Sequence, residues 1–142
     1  MVSGNSLHLV GPLGFSIDDK YLRRSGLDYW PELDVHYYQD FDNFVSKNSS
    51  PCIYMATTKA RRLYTDVVYS YDDFIMFGKE SAGIPEELLL LYHDTAIRIP
   101  MLANRRSLNL SSAVAIVVYE AMRQQDFRGM QMEGKLHRLE WQ

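Results

Sequence analysis

Residues 97–124, IRIPMLANRRSLNLSSAVAIVVYEAMRQ, constrain the fold more than any other stretch of this chain. A short apolar strand runs through a Pro-bearing loop into a turn rich in Arg, Ser and Asn, and from there into a long apolar segment. A helix lying on the protein surface carries one apolar stripe. Here Leu108, Leu110, Ala113, Val114, Ile116, Val117, Val118, Ala121 and Met122 cover most of the circumference. The segment therefore predicts a helix buried on nearly all sides. The loop before it, residues 103–109, is rich in groups that cap helices or bind ligands. Burial beside a polar loop predicts a site at the helix entrance.

The rest of the sequence sets the frame around that site. A length of 142 residues suits one domain and is short for two well-cored ones. No apolar run reaches the length of a membrane span, and residues 1–5 lack the basic flank and apolar stretch of a secretory signal. Cys52 is the single cysteine, so an internal disulfide is excluded and a metal site is not expected. These features place the chain in the cytoplasm. A net charge of -3 argues against indiscriminate nucleic-acid binding, although Lys20, Arg23 and Arg24, then Lys59, Arg61 and Arg62, then Arg105 and Arg106 form local basic clusters.

Short apolar runs alternate with helix-compatible segments. Residues 7–10, 35–38, 52–56, 74–77 and 96–99 read as buried strands, and residues 18–24, 41–47 and 85–92 as helices, the second introduced by Asp40 and the third by Pro85. This pattern predicts an α/β domain with a mostly parallel sheet flanked by helices. Ligands of such sheets bind beyond the carboxyl ends of the strands, which directs attention to the loops after Ala56, Phe77 and Ile99. Those loops carry Thr57-Thr58-Lys59, Gly78-Lys79-Glu80-Ser81-Ala82-Gly83 and Pro100-Met101-Leu102-Ala103-Asn104. Gly78 and Gly83 permit either close approach of a ligand or unusual backbone angles. No dinucleotide fingerprint, phosphate-binding P-loop, zinc-protease pair or nucleophile elbow is present. His8, His36, His93 and His137 are too scattered for their spacing to define a shared site. The residues by themselves define an α/β ligand-binding domain with a pocket of three loops.

Three blocks together resemble the SPOUT class of S-adenosylmethionine-dependent RNA methyltransferases. Residues 7–30 (LHLVGPLGFSIDDKYLRRSGLDYW) are similar to its small single-domain members that methylate the ribose 2'-hydroxyl of the tRNA wobble nucleotide, cytidine or uridine. Residues 77–85 (FGKESAGIP) resemble their FGxETxGxP motif, with Ser81 in place of Thr. Residues 99–124 resemble their IPM loop and R-S-x-N-L-S-N-A-V helix entrance, with Ser112 in place of Asn. The resemblance spans about residues 7–129 and implies a C-terminal trefoil knot, a known exception to unknotted topology.

By that resemblance, Ala56, Gly78, Ile99 and Ser107 are expected at the S-adenosylmethionine pocket, with Met101, Leu108 and Leu110 close by. Glu80 and Asn109 match polar positions of the reacting region, and Tyr119 a position associated with both dimer and active site. Arg23, Arg24, Asp28 and Tyr29 match residues that meet RNA. Trp30 suits base stacking or packing equally. The implied partners are a tRNA anticodon stem-loop and a second copy of the chain, with neither metal nor membrane.

The resembling proteins begin with a further strand and a helix bearing an Arg that aids catalysis. The chain as written starts inside what corresponds to that helix, and residues 130–142 read as a mobile tail. An incomplete start is the expectation, with weak cofactor binding and poor methyl transfer as its consequence. Two alternatives stand beside the wobble-nucleotide enzyme: a non-catalytic RNA-binding or dimerisation module of the same fold, and a ribosomal RNA ribose methyltransferase.

Overall fold

Ile53, Tyr54 and Met55 are all buried, as expected of a strand covered on both faces. They lie in β3 of the computed structural model, which describes residues 2–14, 29–103 and 107–141. These fall in two compact units, residues 1–50 and 51–142.

In the first unit, β1 (Leu7–Val10) pairs in parallel with β2 (Val35–Tyr38), and His8 lies opposite His36. A short 3-10 turn, Trp30–Glu32, precedes β2. Helix α1 (Phe41–Lys47) follows, matching the expected span. Its start is fixed by Asp40, whose carboxylate accepts a 2.8 Å hydrogen bond from the Asn43 backbone N–H, satisfying a donor that no helical carbonyl can reach. Phe44 anchors it, buried against the edges of the His8 and Tyr38 rings. The helix expected over residues 18–24 lies outside the described residues.

The second unit holds β3 (Ile53–Ala56), β4 (Arg62–Leu63), β5 (Phe74–Phe77) and β6 (Ala96–Arg98) in one four-stranded sheet of order β4-β6-β3-β5. Each strand pairing in it is parallel. The two-residue β4 had no signal in the sequence, because its Arg62 belongs to a basic cluster that reads as loop. Helix α2 (Glu86–Leu91) starts directly after Pro85, where a missing N–H costs nothing. Helix α3 (Leu110–Gln124) packs on the sheet through Val117, which joins Tyr54, Val67, Tyr69 and Ile97 in the core.

Helix α3 corrects the expectation of burial on all sides. Val117 alone among its residues is fully buried, while Leu110 and Tyr119 are exposed, as is Leu108 just before the helix. A single sheet covers only one stripe of a helix packed on it. Around the rest of the circumference Ala113, Val114, Ile116, Val118, Ala121 and Met122 are only half-buried, Ala121 packing against the core cluster. After Met130 the chain is irregular and exposed through Trp141.

Candidate functional site

The carboxyl ends of β3, β5 and β6 open onto an apolar cleft that encloses about 80 Å³. Ala56 and Phe77 end their strands at its floor, Ile97 and Val117 close it from the core side, and Tyr64 and Ala113 complete the apolar wall. Thr57, Thr58 and Ser107 supply hydroxyl groups. The connection after β3 is held in place by the Thr57 N–H, which donates to the Ile97 carbonyl at 2.9 Å. Apolar walls and a few polar groups at the rim are the makings of a small-molecule site.

Of the residues expected at a cofactor pocket, Ala56, Ile99, Met101, Ser107 and Leu108 all line this cleft, although they come from three separate stretches of chain. Gly78 and Leu110 are not among its lining residues. Gly78 answers a different need: a Cβ built on it would lie 2.1 Å from the Gly83 carbonyl carbon and 2.3 Å from the Ile84 nitrogen. The loop after β5 folds back on itself, with the Gly83 N–H donating to the Lys79 carbonyl at 2.7 Å and Gly83 in the left-handed region at φ +73°. Ile84, buried beside it, pins the fold-back.

Among the polar candidates, Asn109 is the N-cap of α3. Its side-chain oxygen accepts from the Ser111 backbone N–H at 2.9 Å and from the Ser111 hydroxyl at 2.5 Å. Glu80 is exposed at the tip of the β5–α2 loop. Tyr119 is exposed on α3, 6.5 Å from the Phe127 ring between centroids. None of the three lines the cleft. Tyr29 is exposed in the first unit, and Arg23, Arg24 and Asp28 lie outside the described residues.

Lining residues that sequence reasoning did not place at the pocket are Tyr64, Ile97, Arg98, Ala113 and Val117, whereas Phe77 was marked as the end of its strand. Apart from Arg98 they carried only the signature of core residues, and their role depends on where strand ends meet α3. Thr57 and Thr58 were marked by their place directly after a strand.

The histidines correct the expectation of no shared site. His8 and His36 are stacked with ring centroids 4.7 Å apart, because parallel pairing puts them opposite each other on one face. Tyr38 Oη lies 2.9 Å from His8 Nδ1, and Asp34 Oδ1 lies 3.0 Å from His36 Nε2. Partial burial, then the neighbouring His36, lowers the His8 pKa, while Asp34 opposes the shift. Hydrogen bonds from Ser6 and then His36 hold the Asp34 carboxyl below its ordinary range. The described residues contain no group of three or more His, Cys, Asp or Glu side chains placed to hold a metal ion. Nor do they contain a helix long and apolar enough to cross a membrane.

A parallel sheet with an apolar cleft beyond its strand ends defines an α/β ligand-binding domain. The chain belongs to the SpoU rRNA Methylase family, whose pattern it matches over residues 1–119. It is 47% identical over 133 residues to a Geobacillus stearothermophilus protein provisionally named tRNA (cytidine(34)-2'-O)-methyltransferase, a match covering 90% of this chain and 83% of that protein. A provisionally named RNA methyltransferase structure from Bacillus anthracis is 39% identical, with a TM-score of 0.85 over 94% of this chain and 86% of that one. A structure described as giving insights into the 2-OH methylation of C/U34 on tRNA is 35% identical, with a TM-score of 0.78 over 87% and 80% of the two chains.

Proposed function

We propose that the protein transfers a methyl group from S-adenosylmethionine to the ribose 2'-hydroxyl of nucleotide 34, the wobble position, of tRNA. The observation that carries this reading is the convergence of Ala56, Ile99, Met101, Ser107 and Leu108 on one cleft beyond the strand ends. Relatives and a solved structure named for methylation at nucleotide 34 supply the substrate.

The cleft suits the cofactor. Ala56, Phe77, Ile97 and Ile99 offer apolar walls to a flat base, and a larger side chain at position 56 would fill that space. The Ser107 and Thr57 hydroxyls and the backbone groups at the strand ends can pair with ribose and amine groups. When bound, S-adenosylmethionine supplies an electrophilic methyl on a sulfonium. The chain's part is to hold the acceptor hydroxyl in line with that methyl and to exclude competing water.

Asn109, capping α3 two residues beyond Ser107, and Glu80, two residues beyond Gly78, are the polar groups we place on the reacting side. Arg23, Arg24, Asp28 and Tyr29 are assigned to the RNA. Tyr119 is exposed on α3, and a second copy of the chain is the partner we assign to the side of the helix that bears it. That pairing would bring Tyr119 to a composite site, and the family's trefoil knot would run through α3. A tRNA substrate places the work in the cytoplasm.

The test has two arms. Calorimetric titration with S-adenosylmethionine should give saturable binding. Transfer of a tritiated methyl group to tRNA transcripts, followed by mapping, should place it on the ribose of nucleotide 34. Binding without transfer would indicate a non-catalytic module, and transfer to ribosomal RNA alone would move the target.

A further inference from the structure

The basic cluster after β3 has no part in the cofactor cleft, yet it begins at the cleft's rim. Thr57 and Thr58 line the opening, and Lys59 is the next residue, one Cα step of about 3.8 Å along the chain. Ala60 is buried, so the stretch is tethered between two exposed cations, Lys59 and Arg61. Arg62 is already used, its guanidinium donating to the Asp94 carbonyl at 2.9 Å. Lys59 is held by Glu86 of α2, with Nζ 2.6 Å from Oε1. Both side chains of that pair are more than half exposed, at 53% and 72%. An ion pair so open to water contributes little and can be exchanged readily for another anion.

A positive rim beside the cleft runs against the charge of the whole chain, which is -3. The atom to be methylated in the proposed reaction sits on a ribose with a phosphate on either side. A rim that grips those phosphates would orient the ribose toward the cleft. We infer that Lys59 and Arg61 bind the RNA backbone at the cleft mouth, and that Glu86 is the partner Lys59 gives up when RNA arrives. This inference rests on the RNA methyltransferase reading and extends it to the RNA side of the site.

Glu86 separates this role from a structural one. If the Lys59–Glu86 pair only braced α2 against the β3–β4 loop, K59Q and E86Q would weaken tRNA binding alike. If Glu86 competes with phosphate for Lys59, the two variants act in opposite directions. Filter binding of tRNA across a salt series and steady-state methyl transfer should be measured for the parent, K59Q, R61Q and E86Q. K59Q and R61Q should each raise the tRNA KM at least about threefold and flatten the salt dependence of log Kd by about 0.7 to 1. Their affinity for S-adenosylmethionine should stay at the parent value, and E86Q should bind tRNA as tightly as the parent or more tightly. Parent-like tRNA KM and salt slope in both K59Q and R61Q, with the parent active, would overturn the rim and leave the methyltransferase reading intact. K59Q and E86Q weakening tRNA alike would overturn the exchange. A parent that neither binds nor methylates tRNA would overturn the reading itself, and the rim with it.

Discussion

The Gln124 carboxamide is joined to the backbone at Tyr69 as a neighbouring strand would be. Its oxygen accepts from the Tyr69 N–H at 3.0 Å, and its nitrogen donates to the Val67 carbonyl at 3.0 Å and to Glu120 at 2.9 Å. Val67 and Tyr69 are buried, so no solvent replaces the amide if it is removed. The end of α3 is thereby tied to the segment between β4 and β5, which contributes two of the core side chains.

Gln124→Ala should therefore destabilise the fold by about 1–3 kcal/mol, the cost of leaving a buried donor or acceptor unmet. Urea unfolding checks this. Gln124→Met should recover some packing but little stability, and a Met variant as stable as the parent would show that the hydrogen bonds contribute little.

Ile97 is fully buried and also faces the cleft. Ile97→Ala should cost about 2–5 kcal/mol and Ile97→Val about 0.5–1.5 kcal/mol. The milder variant keeps the fold, so its affinity for S-adenosylmethionine reports on the cleft wall alone. Ala56→Leu should instead fill the cleft, weakening cofactor binding at least about tenfold in calorimetry, with a loss of stability no larger than the about 1–3 kcal/mol of overpacking.

The glycines of the β5–α2 loop should fail for different reasons. Gly78→Ala drives a methyl into the backbone of Gly83 and Ile84, so the loop must unfold or move. Gly83→Ala meets nothing within 4 Å, but it must hold φ at +73° and should cost about 1–2 kcal/mol. Unfolding curves should therefore rank Gly78→Ala as clearly the worse.

The stacked histidines give a pH dependence with a definite sign. His8 takes up a proton less readily in the fold than in the unfolded chain, because its pKa is lowered from 6.5. Its contribution to stability is complete above about pH 6.5 and is lost as the pH falls from there through the lowered value. Asp34, also lowered, acts in a separate window, with its contribution present above pH 3.8 and lost below it. Urea midpoints between pH 5 and 8 should fall toward the acid end, and His8→Phe should flatten that slope.

Part of this was legible along the chain. The strand at residues 7–10 and helix α1 were readable because apolar runs and an Asp cap act within a few residues. The three pocket loops were readable because parallel sheets bind ligands beyond their strand ends. The His8–His36 stack was not, since 28 residues separate the pair and only the β1–β2 register brings them together. The two-residue β4 was hidden for a related reason, its pairing with β6 being set by position rather than propensity.

The opening segment divides along the same line. Its composition fixed a helix with far more apolar surface than one sheet can cover, and a polar entrance at Ser107 and Asn109. Tertiary structure decided which stripe meets the sheet. Val117 reached the core and Tyr119 did not, because packing against a single face selects one side of a helix however apolar the others are.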